Sequence, residues 1–193
     1  RYRQSLHNVV DGKTRSSRGI YDCSVGMEAL LTESRVRIST EGLSPLQSLE
    51  FLITHLAHYV YRRWSMEPLV EPPELHTLIV IEEAQTILQP KLDGIAFYQE
   101  LMLRARSLGV GFLLIGQHIS KIDPVVRAAC GNYVVFAQSS AEDKRVCAQT
   151  LDLSPQETAS LGDLQVGQCL LRFVGHPGCS QSFTAEVIAN CHE

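Results

Sequence analysis

Apolar and polar positions recur along this chain at two different periods, and the periods sort it into elements. Residues 1–24 are polar, carry Arg1, Arg3, Arg15 and Arg18, and show little periodicity, so they read as a flexible lead-in. Val36 and Ile38 alternate with Arg35, Arg37 and Ser39, the pattern of a short half-buried strand. Ser44-Pro45-Leu46-Gln47 then supplies an N-cap hydroxyl, a proline at the first helical position and a capping-box glutamine. Behind it Leu49, Leu52, Ile53, Leu56, Val60 and Trp64 fall on one helical stripe. Three prolines between Met66 and Glu74 stop that helix.

From His76 the pattern changes. Residues 76–81 form an unbroken run rich in β-branched side chains, as in a central parallel strand covered on both faces. A helix is expected over 93–107, with Ile95, Phe97 and Leu101 inward and Tyr98 and Leu103 as further inward positions. Buried strands follow at 110–115 and 133–137. Ser140-Ala141-Glu142-Asp143 starts another helix, and Ser154-Pro155-Gln156-Glu157 is a capping box for a short one. Residues 167–174 and 183–188 read as closing strands. Strands alternating with helices predict an α/β domain with a mostly parallel sheet.

Composition narrows the class. The chain has 193 residues, 45% apolar and 20% charged, which suits a core-bearing domain and not a collagen-like or disordered one. No apolar run reaches the ~18–20 residues of a membrane helix. The first residue is Arg1 and no signal-peptide pattern follows, so the expectation is a partial chain, cytoplasmic in location. Seventeen basic against 21 acidic side chains give a net charge of −4, which leaves no global basic field for nucleic acid. Any such contact has to come from a local patch or from an oligomer. Six cysteines without a C-x-x-C pair read as reduced thiols, not as a zinc site or disulfide framework.

The sharpest chemistry lies in Leu78-Ile79-Val80-Ile81-Glu82-Glu83-Ala84-Gln85. An apolar strand delivers two adjacent carboxylates to its carboxyl end, the edge at which open α/β sheets bind ligands. One acid can hold Mg2+, which favours carboxylate oxygens and keeps several waters, and the other can take a proton from an attacking water. The plainer alternative is a buried strand ending in a solvated acidic turn. Gln117 stands where the next strand ends, and its carboxamide can donate to a phosphate oxygen and accept from a water. Between the two strands, Arg104 and Arg106 either satisfy helix-terminal carbonyls or contact an anion across a subunit boundary.

Other groups read as structural. His55 and His58 lack an acid or cysteine within a turn to complete a metal set. Tyr59, Tyr61 and Trp64 with Arg62 and Arg63 read as packing plus a solvated charge pair more than as a stacking platform for single strands. Cys130 has nothing nearby in sequence to activate it, and His118, although it follows Gln117, is a lone histidine in a loop.

The ordered series Ile81-Glu82-Glu83-Ala84-Gln85, Arg104-Ala105-Arg106-Ser107-Leu108-Gly109-Val110-Gly111, Gly116-Gln117 and Asp123-Pro124-Val125-Val126-Arg127 resembles the HerA/FtsK superfamily of P-loop ATPases. The strand Tyr133-Val134-Val135-Phe136 and the closing Leu161-Gly162-Asp163-Leu164 and Val166-Gly167-Gln168-Cys169 fit as well, so the resemblance spans about residues 34–190. The Glu-Glu-Ala form of the Walker B motif resembles the HerA branch. The resemblance implies a RecA-like P-loop NTPase sheet, mostly parallel with helices on both faces and incomplete here, residues 25–193 being the C-terminal part of such a domain. It implies ATP and Mg2+ as cofactors, Glu82 as the metal-holding acid, Glu83 as the catalytic glutamate and Gln117 as the sensor beside the γ-phosphate. It implies that Arg106 and Arg104 lie near a subunit interface, where an arginine finger stabilises the transferring phosphoryl group. It further implies a hexameric ring acting on DNA, or a conjugation or secretion ATPase acting on protein, with a nuclease or secretion-channel partner.

One motif departs. A phosphate-cradling loop needs G-x-x-x-x-G-K-[ST], and the nearest stretch, Asp11-Gly12-Lys13-Thr14, has His7 at the first glycine position. Two expectations follow: the loop lies upstream in a longer ATPase, or the chain is a non-catalytic assembly module with the same fold.

Overall fold

The computed structural model describes residues 35–38, 46–66, 74–90, 97–173 and 183–187. The expected lead-in, Asp11-Gly12-Lys13-Thr14, the Ser44-Pro45 cap, Ile95, Cys23, Cys179 and Cys191 lie outside them. The chain divides into two compact units, Arg1–Ile81 with Ile95–Leu113, and Glu82–Gly94 with Leu114–Glu193. The short strand expected at Val36 and Ile38 does not form: both side chains are exposed and the backbone there has no ladder. Two apolar positions among arginines bury too little to hold an isolated strand.

The first unit contains helix α1 (Leu46–Ser65), strand β1 (Thr77–Ile81), helix α2 (Phe97–Arg104) with a 3-10 turn at Ala105–Leu108, and strand β2 (Val110–Leu114). Val60, Ala105 and Val110 form its core, with Trp64, Ile79, Leu108 and Phe112 packed around them. Trp64 therefore serves packing, as its helix-end position suggested, and its indole N–H donates to Thr77 Oγ1 at 2.8 Å. Leu101 and Ala105 are buried one turn apart, whereas Leu103 on the opposite side of the helix is half exposed, against expectation.

Strands β1 and β2 share a two-stranded sheet. His76 N–H donates to Gly109 C=O at 2.7 Å where the strands begin, and Ala84 N–H to Ile115 C=O at 2.9 Å just past their ends, so they run parallel. Gly109 lies at φ 65°, and a Cβ there would sit 2.1 Å from the Glu74 carbonyl, so only glycine allows this entry into β2. Ile81 is buried while Leu78 and Val80 are about half exposed, so β1 is covered on one face among the described residues. Two-sided covering, expected from the unbroken apolar run, is not seen there.

The second unit opens with 3-10 turns at Ala84–Thr86 and Ile119–Lys121. Helix α3 (Pro124–Ala129), strand β3 (Asn132–Val135), helices α4 (Ala141–Leu151) and α5 (Pro155–Ser160), and strands β4 (Gln168–Phe173) and β5 (Phe183–Glu186) follow. The expected caps operate, Ser140 accepting from Asp143 N–H and Ser154 and Glu157 forming a reciprocal capping box, and Asp123, given no such role from the sequence, accepts from Val125 N–H. Strands β3, β4 and β5 form an antiparallel sheet with Tyr133 opposite Arg172 and Leu170 opposite Thr184. A single crossover helix would make β3 and β4 parallel; two successive helices, reversed at the left-handed Asp152, return the chain to the end where β3 finished. Val135, Cys147, Leu151, Leu161 and Leu170 form the core of this unit, with Ile119 packed against it.

Leu161 is fully enclosed whereas Leu113 is 47% exposed. Leu161→Ala is expected to lower stability by about 2–5 kcal/mol in urea unfolding, and Leu113→Ala by less than about 1 kcal/mol. Equal losses would contradict this assignment of the core.

Candidate functional site

Glu82 and Glu83 form the turn that leaves β1. Glu83 sits at φ 52°, ψ 39°, in the left-handed region that a branched-off L side chain enters at a cost of about 1–2 kcal/mol. Its carbonyl is held twice by Thr86, from N–H at 2.9 Å and from Oγ1 at 2.8 Å. Its carboxylate is held twice as well. Gln85 Nε2 donates to Oε2 at 2.5 Å and Gln117 Nε2 donates to Oε1 at 2.9 Å. A carboxylate offers about four lone-pair directions, so roughly two stay open for a further donor such as a water.

Gln85 links the two strand ends. It is buried, and its Oε1 accepts from Gln117 backbone N–H at 3.2 Å while its amide reaches Glu83. Gly116 makes room for it: a Cβ at that position would lie 2.5 Å from Gln85 Oε1. Glu82, by contrast, is exposed and makes no hydrogen bond or ion pair among the described residues. Both acids belong to one turn, but only one of them is engaged.

A second, buried carboxylate lies beyond Gln117. Asp143, in the first turn of α4, is 1% exposed. Its Oδ1 accepts from Ser120 N–H at 2.9 Å and its Oδ2 lies 3.0 Å from His118 Nδ1. Burial raises its pKa, but hydrogen bonds from His118, Ser120 and Ser140 outweigh that and hold it down at about 2. The nearby Cys147 thiol is pushed the other way, to about 11, by burial and then by Asp143, and burial raises Cys130 elsewhere in the unit, which leaves neither as a nucleophile.

Of the residues singled out from the sequence, Glu83 and Gln117 meet directly and Glu82 adjoins them. Arg104 and Arg106 belong to the first unit. Arg104 ends α2 in an exposed pair with Glu100 at 2.9 Å, and Arg106 is exposed in the 3-10 turn that follows. Gln85 and Asp143 received no role from the sequence. Gln85 stood inside the acidic motif, four residues past a strand end, and only the close approach at Gly116 reveals its use. Asp143 carried no signal beyond helix capping.

Among the described residues no group of three or more His, Cys, Asp or Glu side chains is placed to hold a metal. A free Glu82 beside an oriented Glu83 nevertheless fits Mg2+, which takes one or two carboxylates and fills its remaining positions with phosphates and waters.

No family model and no curated protein matches the chain by sequence. Solved structures do match in fold. The genome-packaging NTPase B204 from Sulfolobus turreted icosahedral virus 2, in complex with AMPPCP, superposes with a TM-score of 0.65 at 12% identity, over 86% of this chain and 73% of that one. The same NTPase with ATP-gammaS gives 0.61 at 14% identity over the same shares. VirB4 of Thermoanaerobacter pseudethanolicus gives 0.59 at 18% identity, over 80% of this chain and 40% of that one. The fold is therefore the α/β fold of these NTPases, in agreement with the superfamily resemblance. No helix among the described residues is long and apolar enough to cross a membrane.

Gly116→Ala is expected to push the buried Gln85 carboxamide off its two partners and to cost about 1–3 kcal/mol in thermal unfolding. The pH dependence of stability has a definite sign. Asp143 titrates at about 2 in the folded chain against 3.8 ordinarily, so its contribution, on the order of 2 kcal/mol, is complete above about pH 4 and is lost as pH falls toward 2. The stability gap between the wild type and Asp143→Asn should shrink over that window in urea titrations; a constant gap would contradict the assignment.

Proposed function

We propose that this chain carries the hydrolytic half of a Mg2+-dependent ATPase motor of the HerA/FtsK type, residues 25–193 being the C-terminal part of a RecA-like domain. The observation that carries this reading is the strained, doubly clamped Glu83 at a strand end, within the fold of NTPases solved with ATP analogues. Glu83 orients the attacking water and takes its proton, since its carboxylate is fixed in direction and keeps open lone pairs. Gln117 bridges that base and the nucleotide's terminal phosphate, holding Glu83 with its amide N–H. Glu82 holds Mg2+ directly or through water. Once bound, the ion supplies positive charge for the phosphate oxygens. Arg106, and with it Arg104, faces the nucleotide of a neighbouring subunit in a homo-oligomeric, hexameric ring. In this reading the intact protein works in the cytoplasm and moves DNA, or serves a secretion or conjugation channel with a protein substrate, alongside a nuclease or channel partner.

A second reading has a specific observation behind it. The nearest phosphate-loop sequence, at Asp11-Gly12-Lys13-Thr14, has His7 where the first glycine belongs, which favours a non-catalytic assembly module with the same fold. Titration of the intact protein with a fluorescent ATP analogue separates the two, because the module binds none.

Glu83→Gln in the intact protein is expected to lower ATP turnover by about 10²–10⁴-fold while leaving analogue binding within about twofold. Full turnover in that variant would end the catalytic assignment of Glu83.

A further inference from the structure

Gln117 is exposed, and its amide meets an exposed carboxylate. Water competes for such a bond at every moment, so the bond alone does not fix where the carboxamide sits. The backbone on either side has to do it. On one side the Gln117 N–H is tied to buried Gln85. On the other the chain runs through His118 into the 3-10 turn Ile119–Lys121, and both His118 and Ser120 end on the carboxylate of Asp143. Asp143 comes from α4, 25 residues along from His118, and it is capped there by Ser140, which accepts from the Asp143 N–H. Ile119 also packs on the core of this unit.

We propose that Asp143 is a positioning residue for Gln117. Its buried carboxylate gathers the His118 ring and the Ser120 N–H, sets the direction in which the chain leaves β2, and so sets the place where the Gln117 amide meets Glu83. The functional meaning rests on the reading of Glu83 and Gln117 as one hydrolytic site; the geometry does not. A buried charge is costly to keep, and this one engages two groups just past the exposed glutamine instead of a cation within its own helix.

The test follows side-chain amide and leucine methyl resonances of the chain labelled with ¹⁵N and methyl-¹³C, without nucleotide, so its outcome is independent of any turnover result. In the wild type the Gln117 amide protons are expected to exchange more slowly than those of a free glutamine side chain. In Asp143→Asn they should exchange about tenfold faster, while the Gln85 amide and the methyl groups of Leu151, Leu161 and Leu170 stay unchanged. Unchanged Gln117 exchange, or a shift of all these probes together, overturns the proposal. Should Asp143→Asn fail to fold, His118→Ala decides: faster Gln117 exchange with silent core methyls supports the proposal, and no change overturns it. His118→Gln, which keeps a donor toward Asp143, should restore the slow rate, and failure to do so counts against the proposal.

Discussion

A single carboxylate held against its own backbone preference organises this site. Glu83 occupies a left-handed conformation that costs about 1–2 kcal/mol for a side chain of its kind, and four hydrogen bonds keep it there. Two are local, from Thr86 to the carbonyl, and fix the turn. Two come from glutamines and fix the carboxylate. Remove the second pair and the turn could still form, but the acid would point wherever solvent took it. The cost of the conformation is thus tied to the orientation of one functional group, which is the pattern expected where strain serves chemistry.

Exposed polar groups and their buried support are divided between different residues. Glu82, Glu83 and Gln117 face solvent, and each alone makes contacts worth little in water. Gln85 and Asp143, both buried, hold the segments on which the exposed groups stand. Gly116 is part of the same arrangement, because the space its missing Cβ leaves is the space Gln85 fills. Surface ion pairs such as Arg104–Glu100 have no such backing and contribute little to the architecture.

Much of the fold was legible from local chemistry. The Ser154 cap and the Ser140 helix start rest on interactions within a few residues, which sequence patterns report well, and β1 and β2 showed as unbroken apolar runs although their pairing is long-range. The antiparallel β3–β4–β5 sheet was not, because strand direction depends on how many helices intervene and where a reversal such as Asp152 falls. Val36 and Ile38 misled because alternation without a pairing partner carries no energy. In the site, Glu83 and Gln117 could be read from strand ends, whereas Gln85 and Asp143 act over 32 and 25 residues of separation and leave no periodic trace.

The plain alternative for the acidic motif was a buried strand ending in a solvated Glu-Glu turn, and the two carboxylates themselves weigh against it. In a solvated turn both acids would lie free in ordinary backbone conformations, since water satisfies each equally. Here they differ: Glu83 is strained and doubly bound by amides, while Glu82 has no partner among the described residues. Proton transfer needs an acid of fixed direction, and metal binding needs one whose oxygens are unclaimed. The fold thus places strain and two glutamine amides on one member of the pair and leaves the oxygens of the other unclaimed among the described residues, which a merely solvated turn does not call for.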